Sequence, residues 1–60
     1  MNYKLLVAIK QKGLTQREFA KLVGDHESTI SRIVNGRWNA DEMRKIKYSK
    51  MLGVPEEKLF

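Results

Sequence analysis

Thr15–Arg37, TQREFAKLVGDHESTISRIVNGR, is the stretch that decides the fold of this 60-residue chain. Within it Ala20 precedes Gly24 by four residues, Ile30 lies six beyond the glycine, and Ile33 three further. Two short helices crossing at a steep angle need such parts in this order. They are a small residue where the helices touch, a turn that tolerates left-handed backbone, and apolar anchors on the second helix. Thr15 opens the first of the pair as an N-cap, and Glu18 three residues later completes a capping-box pattern. Leu14 is placed to pack on Phe19 as a hydrophobic staple, and Phe19, Ala20, Leu22 and Val23 are the expected inward residues. The second of the pair runs from about His26 to Val34, with Ile30, Ile33 and Val34 on one side. Asp25 or His26 caps it.

The same punctuation extends outward. Glycines at 13, 24, 36 and 53 each follow a helix-length segment and can supply the left-handed residue that ends it. Before the pair, a helix from about Asn2 to Lys12 places Leu5, Ala8 and Ile9 on one face with Leu6 on the flank. After it, a helix from about Asp41 to Leu52 has Asp41 as its cap and Glu42 beside its positive end. Met43, Ile46 and Leu52 are its expected buried residues, with Tyr48 or Ser49 between them. Pro55 suits the first position of a short helix from Glu56 to Leu59, whose Leu59 and Phe60 can close the core. The chain has one proline and no sustained β-type alternation, so the fold class is all-α. The expected architecture is a compact five-helix bundle forming one domain, 1–60, with its helix-turn-helix at about 15–35.

A chain this short buries only about 60% of the surface its unfolded form exposes. It has no cysteine and a single histidine, so disulfides and thiolate metal sites are excluded as staples and no cofactor is expected. Leu5–Ile9, the longest apolar run, is far too short for a membrane span and lacks the flanks of a signal peptide, which points to a cytoplasmic protein. Twelve Lys and Arg against seven Asp and Glu leave a formal charge of +5, a bias toward polyanionic partners. No nucleophile–base pair, phosphate-binding glycine loop or metal-ligand cluster suggests an enzyme.

The chain resembles the phage repressor and Cro-type helix-turn-helix proteins, the Xre family. The match includes Thr15-Gln16, Phe19-Ala20, Gly24, Ile30-Ser31, Ile33 and Asn35-Gly36-Arg37, and continues into Leu52-Gly53-Val54 and Leu59-Phe60. The resemblance implies a lambda-repressor-like domain that binds double-stranded DNA, with the third helix in the major groove. By position, Glu27, Ser28, Thr29 and Arg32 match the residues that read bases in relatives. Gln16, Asn35 and Arg37 match backbone-contacting positions, and Trp38 lies in the segment that approaches the DNA backbone. For Trp38, packing against the third or fourth helix and a dimer contact are the other readings.

The side chains suit these roles. Arg32 can pair bidentately with guanine O6 and N7, while Ser28 and Thr29 can hydrogen-bond several bases. Glu27 can accept from cytosine N4, or else repel phosphates and orient Arg32. By the same resemblance, a homodimer on a palindromic operator is expected, joined around the fourth and fifth helices and Phe60. No small-molecule ligand is expected. The rival from another class is a protein-binding module of the same fold, an antitoxin or anti-repressor partner. The polar face carrying Arg32, with Arg37 beyond it, argues against that rival.

Four departures from the family pattern carry expectations of their own. Relatives usually have an aliphatic residue at Asp25, so an apolar anchor between the paired helices is missing here. His26 follows where serine is common, and reads as an exposed cap or turn residue. Many relatives hold a partly buried ion pair at the positions of Ile9 and Val34; here both are apolar, and the two are expected to touch. Arg44 and Lys45 stand where relatives often carry apolar residues. Either the register shifts so that Met43 and Ile46 fill the core, or the fourth helix is unusually polar.

Overall fold

A computed structural model describes all of residues 1–60. Four α-helices follow one another, α1 (Tyr3–Gln11), α2 (Gln16–Val23), α3 (Glu27–Val34) and α4 (Glu42–Leu52), and a 3₁₀ turn spans Glu56–Lys58. The expected fifth helix is therefore only a turn, and the bundle has four helices. Its i→i+3 bonds, Lys58 N–H to Pro55 O and Leu59 N–H to Glu56 O at 2.9 Å each, tighten the chain enough to drop Leu59 into the core. Pro55 sits at the cap of this turn rather than inside it.

Local chemistry explains the helix ends. Thr15 and Glu18 form the reciprocal capping box, with Thr15 Oγ1 accepting from Glu18 N–H at 3.1 Å and Glu18 Oε1 accepting from Thr15 N–H at 3.0 Å. Asp41 caps α4 by accepting from Arg44 N–H. At the α2–α3 turn Gly24 takes φ +78°, which lets Asp25 N–H reach back to Ala20 O at 3.0 Å. Gly36 does the same after α3 at φ +74°, with Gly36 N–H on Ile33 O and Arg37 N–H on Arg32 O.

Asn2, which the sequence marks only as the start of α1, joins three parts of the chain. Its side-chain oxygen caps α1 through Leu5 N–H, its amide donates to Leu59 O at 2.7 Å, and its backbone N–H donates to Val34 O at 2.6 Å.

A single core of thirteen buried residues holds the helices together, and no polar or charged residue is buried in it other than through the Tyr48 hydroxyl. Leu5, Ala8 and Ile9 come from α1, Phe19, Ala20 and Val23 from α2, and Ile30, Ile33 and Val34 from α3. Ile9 and Val34 lie in this core together, both essentially inaccessible. Leu14 packs half-buried against its edge. The Phe19 and Tyr48 rings meet edge-on at 5.1 Å, a favoured aromatic arrangement.

Two expectations about the core are corrected. Leu22 is half exposed, because Phe19, Ala20 and Val23 already fill the stripe that an eight-residue helix can present. In α4, Met43 and Ile46 point outward, Met43 with 78% of its surface exposed, while Tyr48 and Leu52 are buried. The inward stripe of α4 is thus Arg44, Tyr48 and Leu52 at i, i+4 and i+8, with Arg44 only partly exposed. The fourth helix is unusually polar rather than shifted in register.

Candidate nucleic-acid interface

Burying Ile30, Ile33 and Val34 turns the opposite side of α3 outward. Ser28 and Arg32 are exposed on it, with half-buried Thr29 at one edge and exposed Glu27 at the other, beside the buried stripe. The four residues expected to read bases thus lie within the first turn and a half of α3, Ser28 and Arg32 opposite the buried stripe and Glu27 and Thr29 on its two flanks. His26 is the exposed N-cap residue and makes no side-chain cap bond, so the first N–H groups of α3 have no side-chain acceptor from it.

The residues expected at the DNA backbone fall at both ends of this face. Gln16, half-buried at the start of α2, lines one shallow groove with Glu27. Lys10 of α1 lines that groove too, a cation the linear pattern does not place there. At the other end, Asn35 donates from its amide to Ser31 Oγ at 3.2 Å and closes α3 through its own N–H on Ser31 O. Arg37 and Trp38 follow with both backbone N–H groups on Arg32 O, at 2.9 and 3.3 Å, so the segment is tied to the end of α3. Arg37 extends into solvent.

Trp38 is 42% exposed, and the Arg44 guanidinium lies over its ring at 5.0 Å from the centroid. Packing against α4 is therefore present, and the indole retains an open surface.

Asp25 occupies the turn between α2 and α3, and its side chain is only 9% exposed. It accepts from the Tyr48 hydroxyl at 2.6 Å and faces Arg44 Nε at 3.4 Å and Lys47 Nζ at 3.6 Å. Arg44 also reaches Asp41 Oδ1 at 3.4 Å. Burial works against ionisation of Asp25, but the Tyr48 hydroxyl, Arg44 and Lys47 outweigh it and hold the carboxyl below its usual value. Burial and the neighbouring carboxylate push the Tyr48 phenol up, so it stays a proton donor.

This cluster was not legible in the sequence, although both of its departures were. Asp25 where an aliphatic residue is usual and Arg44 where an apolar one is usual are two halves of one contact.

The geometry agrees with what similarity shows. A helix-turn-helix family model matches residues 7–59. The chain belongs to the helix-turn-helix family. That family is a class of double-stranded DNA-binding domains, and the match runs from α1 through the final turn. No curated protein and no solved structure matches the chain significantly. No helix of this helix-turn-helix protein is long and apolar enough to cross a membrane.

Proposed function

We propose that this helix-turn-helix protein is a sequence-specific transcriptional regulator of the repressor and Cro type, laying α3 in the major groove of an operator. The observation that carries the reading is the division of α3 into a buried apolar side and an outward side centred on Ser28 and Arg32, with Glu27 and Thr29 at its edges. Arg32 reads a guanine, Ser28 and Thr29 contact neighbouring base edges, and Glu27 takes a cytosine amine or orients Arg32. Gln16, Asn35, Arg37 and Trp38 hold phosphates on either side of the groove and set the register of α3. The surplus of +5 supplies the salt-dependent, sequence-independent part of the affinity.

One α3 covers only a few base pairs, so two copies on a palindrome, with half-sites about one helical turn apart, complete the site. The outward Met43 and Ile46 of α4 leave apolar surface available for that pairing.

Selection of bound duplexes from a random pool tests this. Enrichment of a palindrome supports both base reading and dimeric binding. No enrichment at moderate salt refutes the reading and favours a protein partner. With the selected duplex, Arg32→Ala is expected to lose about 1–3 kcal/mol of discrimination at one base pair of each half-site. An Arg32→Ala protein with unchanged base preference removes Arg32 from the reading face.

A further inference from the structure

Asp25 immediately precedes the N-cap of α3, and Trp38 lies four residues past its end. A single side chain from another helix touches both. Arg44 of α4 faces Asp25 with Nε at 3.4 Å and Nη2 at 3.5 Å, and lays its guanidinium over the Trp38 ring at 5.0 Å. A third hold comes from Asp41 Oδ1, 3.4 Å from Nη1. The Asp25 end is itself firm, since the carboxylate is nearly inaccessible and takes the short Tyr48 bond. The Trp38 end is firm along the backbone, where its N–H and that of Arg37 share Arg32 O.

We propose that Arg44 is a positioning residue that braces both ends of α3 against α4, fixing the helix and the Asn35–Trp38 segment in the pose in which they meet DNA. This rests on the function proposed above. The guanidinium is occupied by Asp41 and by Asp25, the latter shared with Lys47, so its task is geometric rather than phosphate binding. The two Nη groups donate to Asp41 and Asp25 while Nε lies within ion-pair range of Asp25 without a hydrogen bond, and the guanidinium lies over Trp38; lysine's single ammonium cannot reach all three. Without the brace, the segment carrying Trp38 must be ordered when DNA binds, which weakens the complex. The departures at positions 25 and 44 then form one device: this chain replaces an apolar contact beside the turn with a directional one that extends to the far end of α3.

The test compares the wild-type chain with Arg44→Lys and Arg44→Met, using the selected duplex and the emission of Trp38, the only tryptophan. Both variants are expected to bind about tenfold more weakly, with the slope of log affinity against log salt unchanged. In the free protein, both are expected to shift Trp38 emission to the red and lower its anisotropy, at unchanged helical circular dichroism. If Arg44→Lys keeps wild-type affinity while Arg44→Met loses it and flattens the salt slope by about one unit, Arg44 is a phosphate contact and the brace is refuted. Unchanged affinity in both variants refutes it as well. Should Arg44→Met unfold, Arg44→Lys, which keeps a cation beside Asp25, carries both measurements. Should the wild-type chain select no duplex, the function above fails instead; Trp38 emission and anisotropy then decide the brace alone, and values unchanged by Arg44→Lys overturn it.

Discussion

Replacing Tyr48 by Phe removes one oxygen from the interior and leaves the packing around it intact. The Tyr48 ring is fully buried and meets Phe19 edge-on at 5.1 Å, an arrangement phenylalanine preserves. What is lost is the 2.6 Å bond to Asp25 Oδ2. A hydrogen bond to a charged acceptor contributes about 1.5–3 kcal/mol. Arg44 and Lys47 remain beside the carboxylate, so its charge keeps two partners and the loss falls near the middle, about 2 kcal/mol. For a domain of this size that lowers the thermal midpoint by about 8–16 °C.

The loss also depends on pH. Asp25 is held below its ordinary value of 3.8 in the folded state, so its stabilisation is complete above that value and fades as pH falls through the lower folded one. Tyr48→Phe weakens what holds Asp25 down. The gap between wild type and variant should therefore be full at neutral pH and narrow once the carboxyl protonates. Thermal and urea unfolding followed by circular dichroism, at pH 7 and at descending values below 4, measure both effects. A double-mutant cycle with Asp25→Ala isolates the bond, and in that background Tyr48→Phe should cost far less. A midpoint drop under about 3 °C at pH 7, or the same cost with and without Asp25, would refute the assignment of this bond as the link between the α2–α3 turn and α4.

Two further substitutions probe the fold. Gly24→Ala meets open space but must hold φ +78°, so it should cost about 1 kcal/mol from backbone strain alone, measured as a shift in the urea midpoint. Met43→Lys should change stability by less than about 0.5 kcal/mol, because the side chain stands in solvent; a loss of several times that would return Met43 to the core.

How much of this was legible in the chain depended on the range of the interaction. Caps, stops and the apolar stripes of α1 and α3 rest on neighbours within four or five residues, and the linear sequence already contains them. The outward position of Ser28 and Arg32 follows from the same periodicity once Ile30 and Ile33 are taken as anchors, with Glu27 and Thr29, three and four residues before those anchors, on the flanks.

Failures came where partners lie far apart in sequence. Met43 and Ile46 are better core residues by type than Arg44, yet Arg44 and Tyr48 take the inward stripe because Asp25, some twenty residues earlier, stands opposite them. Leu22 lost its place to a stripe that Phe19, Ala20 and Val23 had already filled. The final segment closed as a 3₁₀ turn because Leu59 had to reach a core that four helices define.

By itself, then, the sequence determined that the chain is helical, roughly where the four α-helices lie, and which family it joins, since these are short-range properties. Only the tertiary structure decided which face α4 turns inward and what holds the two ends of α3. A charge's partner depends on distance in space, and periodicity along one helix carries no information about the charge it will meet on another.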